Sequence, residues 1–160
     1  MKMVIPEPLK LEHKELHREL GEAVKTIGPI GKAAEAVAKV LHPHFVKEEE
    51  YALPPIGLLK VLAKGKIPKD MEDALNMTKK LKKDLPHMLK EHKAIIVKLK
   101  KLVIVAKKEK RPEFAHFAEK LIFHARTEEE VIYPAAILVG EYLKLVGEYL
   151  KEKLALRKLQ

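Results

Sequence analysis

The sequence predicts an all-α protein: an up-down-up-down four-helix bundle with extra short helices between helices two and three and a further helix at the C-terminus. Three observations predict it. Apolar residues recur at spacings of three and four rather than two, the period of a buried helix face and not of a strand. Proline and glycine fall between these stretches, at Pro8, Gly28-Pro29, Pro54-Pro55 and Pro112, where helices start or stop. The chain also resembles itself. Glu12-His13-Lys14 returns as Glu91-His92-Lys93, and His44–Ile56 returns as His124–Ala136, each roughly 80 residues later.

The first helix starts near Pro8 and ends at Gly28-Pro29, with Leu9, His13, Leu16, Leu20, Val24 and Ile27 on one face. The second carries Ile30, Ala34, Val37, Leu41, His44 and Glu48 and runs until Pro54-Pro55. Gly57–Asp84 is expected to hold two short helices, with Gly65–Asp70 as a break. The third starts near Pro86 and carries Leu85, Met88, His92, Ile95, Leu99 and Val103. The fourth starts near Pro112 and carries Phe114, Phe117, Leu121, His124, Glu128 and Val131. Each of the four is expected to span about 20 residues, or ~30 Å. A C-terminal helix, 138–158, contains a duplicated heptad, LVGEYLK at Leu138–Lys144 and again at Leu145–Lys151. Its stripe of Val139, Tyr142, Leu143, Val146, Tyr149 and Leu150 suits packing or a homodimer contact better than a cofactor box. The whole chain, 1–160, is expected to be one domain, with the bundle at about 9–136.

Composition narrows the function. At 160 residues and 47% hydrophobic, the chain can bury a core and is not disordered. It has no cysteine, so disulfides, Fe–S clusters and thiolate zinc sites are excluded, and a metal must be held by His and carboxylate. Serine is absent too, and Thr26, Thr78 and Thr127 have no evident base partner, so nucleophilic catalysis is not expected. Met1–Pro8 lacks the apolar stretch of a signal peptide, and no uncharged apolar run reaches the ~18 residues of a membrane span. The expected location is the cytoplasm, with no membrane partner. Lys79–Lys83 and Lys107–Arg111 make the chain basic, at net +9. Only 5% of residues are aromatic, too few to interleave with that charge as base-stacking platforms, so nucleic acid is not the expected partner. Abundant Lys and Glu, with Asn76 and Gln160 the only amide side chains, resemble thermophile usage.

The chemistry lies in six residues: His13, His44, Glu48, His92, His124 and Glu128. One histidine on an apolar face is ordinarily a satisfied core residue. Here four sit on the inward stripes of four helices, and two are followed one turn later by a glutamate on the same face. A buried carboxylate is costly unless it is paired or bound to a metal, and no inward Arg or Lys matches these. Counted from the turns, the six groups fall within about 6 Å of one level in an antiparallel bundle. The repeat relates two three-ligand halves, which suits two metals bridged by Glu48 and Glu128.

In order, the ligands read His, His-x-x-x-Glu, His, His-x-x-x-Glu, with Phe45, Glu49, Pro54, Glu129 and Pro134 flanking. Over Leu9–Ala136 this resembles the hemerythrin-like family, the HHE cation-binding domain. The resemblance implies two iron ions with an oxygen or hydroxide bridge and an open position for O2 or another small ligand. Two departures stand out from the family's oxygen carriers. Met88 and Ile96 occupy the spacings four from His92 where a second histidine would stand, and the glutamate follows His124 at four rather than an aspartate at five. Ferritin-like sites have the reverse ratio of carboxylates to histidines. Zinc or manganese also suit such nitrogen and oxygen donors.

The expected function is therefore binding of O2, NO or peroxide, or of iron itself, for sensing, storage or delivery. The alternatives are a di-iron peroxidase or oxidase in oxidative-stress defence and a metal-free helical interaction protein. Other residues rank lower. His17 reads as a core-edge histidine, His87 as a flank residue and His42 as solvent-facing. His116 reads as lining the bundle or an access route, and Glu12 and Glu91 as solvated. Tyr51 and Tyr133 read as packing residues, with a hydrogen bond to a site carboxylate as the alternative.

Overall fold

The computed structural model describes residues 3–69 and 71–158. Six α-helices follow in order: α1 Glu7–Val24, α2 Pro29–Lys47, α3 Leu59–Leu62, α4 Met71–Lys108, α5 Pro112–Thr127 and α6 Tyr133–Lys158. The bundle is α1, α2, α4 and α5, packed in a ring with each against its chain neighbours and α5 closing on α1. Prolines sit in the first turns of α1, α2 and α5, where a missing N–H costs nothing. Gly28, at φ 98°, supplies the left-handed conformation that turns the chain from α1 into α2.

Apolar clusters lie on both sides of a polar layer. Leu16, Leu20, Val37, Leu41, Ile95, Leu99, Phe117 and Leu121 belong to the first cluster. Tyr51, Ile56, Leu81, Met88, Tyr133 and Ala136 belong to the second. Leu58, Ala74, Val139 and Leu143 form a third, where α6 crosses the start of α4. At that crossing a Cβ on Gly140 would stand 2.1 Å from Thr78 Oγ1, so the glycine of the first heptad copy is a close-approach residue. No helix among the described residues is long and apolar enough to cross a membrane.

Five expectations need correcting. The third bundle helix does not start near Pro86: α4 runs 38 residues with Pro86 inside it. Ala74, Thr78, Leu81, Met88, His92, Ile95, Leu99, Leu102 and Ala106 are buried, and half-buried Leu85 fills the gap. The four-three alternation thus passes Pro86 unbroken, and burial on both sides outweighs the lost hydrogen bond of an exposed proline. Of the two short helices expected in Gly57–Asp84, only the first stays separate, as a 3₁₀ turn at Pro54–Leu58 leading into α3. The break covers 63–69, while Asp70 lies outside the described residues. Ile27 is 98% exposed, because α1 stops at Val24. Val131 is 55% exposed, because a π turn at Glu128–Ile132 rotates it off the inward stripe. On α6, Val139 and Leu143 are buried, but Tyr142 and Tyr149 are exposed and Val146 and Leu150 only half-buried. The expected stripe therefore packs only along its first half.

Candidate metal centre

Both His-x-x-x-Glu motifs close an α-helix and open a π turn. α2 ends at Lys47 and the turn runs Glu48–Ala52; α5 ends at Thr127 and the turn runs Glu128–Ile132. Leu53 N–H donates to Glu48 O at 2.8 Å, five residues back. A π turn admits one extra residue per turn and is common at functional sites.

The structure brings all six sequence-predicted residues to one buried level. Their side chains form two adjacent sets: His44, Glu48, His92 and Glu128 in one, and His13, His124 and Glu128 in the other. His44 Nε2 lies 2.8 Å from His92 Nε2 and 3.1 Å from Glu48 Oε1, and His92 Nε2 lies 3.4 Å from Glu128 Oε2. Across the layer, Glu128 Oε1 lies 2.8 Å from His124 Nε2 and 3.4 Å from His13 Nε2, and Glu48 Oε2 is 3.7 Å from His13 Nε2. Each glutamate thus turns one oxygen to each set. Each set takes one histidine from each half of the repeat, so the halves interleave rather than holding one set apiece.

The outer nitrogens are as ordered as the inner ones. His13 Nδ1 faces Glu49 at 3.3 Å, His44 Nδ1 faces Glu91 at 2.8 Å, His92 Nδ1 faces Glu129 at 2.9 Å and His124 Nδ1 faces Glu12 at 3.2 Å. The arrangement follows the repeat, with Glu12 matching Glu91 and Glu49 matching Glu129. An Nδ1–H donated to a carboxylate fixes the ring and leaves the Nε2 lone pair free for a cation, the pattern of metal-bound histidines. This corrects the solvated reading of Glu12 and Glu91. The signal was present, because the repeat duplicates the Glu-His pair and not the histidine alone.

Without a cation, the buried imidazoles and carboxylates shift one another's protonation strongly. Burial alone would lower the His44 and His124 imidazoles, but the carboxylate of Glu48 beside His44 and that of Glu128 beside His124 outweigh it and raise both to about 9. Burial and then the charge of Glu128 push the Glu48 carboxyl up. Burial works on Glu128 the same way, but His124, His13 and His92 overcome it and hold this carboxyl well below its usual range. Two buried atoms stay without a hydrogen bond, Glu48 Oε2 and His124 Nε2. The second lies 2.8 Å from Glu128 Oε1 but is not aligned to donate to it, so proximity there is not a bond. Orphaned donors of this kind, with imidazole and carboxylate chemistry, fit a divalent or trivalent metal.

Of the tyrosines, Tyr133 hydrogen-bonds Glu48 and is part of the cluster. Tyr51 donates to Asp84 at 2.5 Å instead, away from the six residues. His17 is half-buried against Phe45 and stacked on exposed His42, and His87 pairs with Glu91 at 3.1 Å. His116 is exposed in a surface cleft with Arg18 and Phe117, not on the bundle interior. Phe45 stacks on His13 at 4.2 Å and closes that side from water.

Compared with known proteins, residues 4–136 match the family model of the Hemerythrin HHE cation binding domain. Comparison with curated proteins and with solved structures gave no match.

Proposed function

The chain belongs to the hemerythrin HHE cation-binding domain family, and on that premise we propose that it holds two non-haem iron ions and binds O2 or another small ligand such as NO or peroxide. One observation carries the reading: two buried donor sets share Glu128, Glu48 turns its second oxygen toward the other set, and each histidine Nδ1 faces an outer glutamate within 3.3 Å. His44 and His92 would hold one metal and His13 and His124 the other, with Glu48 and Glu128 bridging. Bound iron would supply reversible electron transfer to a small ligand at an open position. The chain's part is to orient the imidazoles through Glu12, Glu49, Glu91 and Glu129, and to exclude water with Phe45 and the apolar layers on either side. Four neutral imidazoles against two carboxylates leave net positive charge on two metals, which favours an anionic ligand. The biological use would be sensing, storage or delivery.

The test is metal content with the visible spectrum, on protein purified without oxygen and then exposed to air. Near two irons per chain, an absorption band on exposure and a spectral change with azide are expected. One zinc with a silent spectrum would remove the oxygen chemistry. Steady turnover of peroxide with a reductant, lost in His44→Ala, would move the assignment to a peroxidase.

A further inference from the structure

The repeat is broken at an inward position beside the site. Five residues after Glu48 the first half buries Leu53, and five residues after Glu128 the second half buries Tyr133. Leucine offers no donor atom. The Tyr133 hydroxyl lies 3.3 Å from His44 Nε2 and 3.3 Å from His92 Nε2, and it donates a short hydrogen bond to Glu48 Oε1. Three of the four donor groups of one set therefore surround this oxygen. Neighbouring donors in a shell at about 2.1 Å from a metal stand roughly 3.0–3.4 Å apart. His44 Nε2 and His92 Nε2 are 2.8 Å apart, so the phenol oxygen is spaced from them as a further ligand of one metal would be. The ring also stacks on His92 at 5.6 Å, which fixes its direction.

The other set has no equivalent. The partners of His13 Nε2 and His124 Nε2 are the bridging carboxylates, and both orphaned atoms, Glu48 Oε2 and His124 Nε2, face that side. We infer that Tyr133, as phenolate, is a fifth protein donor to the metal between His44 and His92, which makes the two metal positions unequal and leaves the small ligand to the metal between His13 and His124. This rests on the two-metal reading above. A cation a bond length away would stabilise the phenolate, and the phenol proton would leave to solvent on binding, as for other metal ligands.

The experiment loads the full chain with iron, counts it, and records the visible and resonance Raman spectra of the diferric form for wild type, Tyr133→Phe and Tyr51→Phe. The expected wild-type result is a phenolate-to-iron(III) charge-transfer band that enhances tyrosinate ring vibrations, with those vibrations shifting when the tyrosine is ring-deuterated. Tyr51→Phe should keep the band, and Tyr133→Phe should lose it while retaining iron. Two irons per wild-type chain with no tyrosinate vibrations would overturn the inference alone and leave Tyr133 a hydrogen-bond donor to Glu48. The same holds if Tyr133→Phe keeps the band. No iron in wild type overturns the two-metal reading and this inference together. If Tyr133→Phe cannot hold iron, the deuterium shift in wild type and in Tyr51→Phe decides.

Discussion

Glu91 accepts from His44 Nδ1 and from Lys47 Nζ at 2.6 Å, and those two partners overcome its partial burial to hold its carboxyl below the usual range. It is the most firmly anchored of the four outer glutamates. Glu91→Gln removes the charge and keeps the shape, so metal affinity should fall about 10- to 100-fold in a chelator competition while the fold persists. An unchanged affinity would mean that the outer carboxylates only solvate the rings. The imidazoles themselves make the metal-free chain sensitive to pH. His44 and His124 are held at about 9 against an ordinary 6.5, so the stability they contribute is complete below 6.5 and lost as pH rises through about 9. Each shift amounts to ~3 kcal/mol, and shared carboxylates keep the two from adding. Glu48, held up, declines in the same direction, whereas the stability from Glu128, held down, is present above 4.5 and lost only in acid. The Tm of metal-free protein should therefore fall from pH 6.5 to 9. Metal needs neutral imidazoles, so the added stability of the loaded form should grow over the same range. Thermal melts of both forms across that window check the crossing, and parallel profiles would refute it.

At the scale of elements, α4 decides how the bundle and the C-terminal helix are joined. Its buried stripe runs from Ala74 to Ala106 through Pro86, so the segment before the proline is the same helix that carries His92. If so, Pro86→Ala restores a backbone hydrogen bond inside a continuous helix and should stabilise the protein by ~1–3 kcal/mol, read from denaturant midpoints. Were Pro86 a helix start, the same change would be neutral or unfavourable. The continuity was legible: Leu81, Leu85 and Met88 already keep the four-three spacing, and only the habit of reading proline as a boundary hid it. The π turns were not legible. The polar stretches Glu48-Glu49-Glu50 and Glu128-Glu129-Glu130 look the same under α or π spacing, and only burial shows that Tyr133 rather than Val131 turns inward. Six inward polar residues were readable because each lay on an apolar stripe. The outer glutamates were not readable from periodicity, because they reach across to a neighbouring helix and a single helix's period carries no record of its neighbour; only the duplicated Glu-His pair marked Glu12 and Glu91.

For the whole molecule, the polar layer is a cost that the fold carries for its ligand. Seven buried polar or charged residues are found among the described residues, and six of them are the site. In a chain without metal, Glu48 is fully buried, has an oxygen with no partner and faces a second carboxylate. Metal ions that bind only the folded chain stabilise it by linkage, about 4 kcal/mol at a free concentration a thousand times the dissociation constant. For a chain of this size that corresponds to a rise in Tm of roughly 10 °C. Chelation should reverse the rise, and equal melting curves with and without metal would favour a helical protein that uses no cation. Glu48→Gln separates the two sides of this balance. Above about pH 9, where the His44 imidazole is neutral and no longer stabilised by Glu48, it removes a strained buried charge, so the metal-free variant should melt no lower than metal-free wild type, yet it gives up an oxygen that would reach the metal and should lose most of the metal-dependent rise. A variant that melts well below metal-free wild type would show instead that the glutamate stabilises the fold on its own. The carboxylate would then be structural, and the unpaired oxygen would no longer point to a cation.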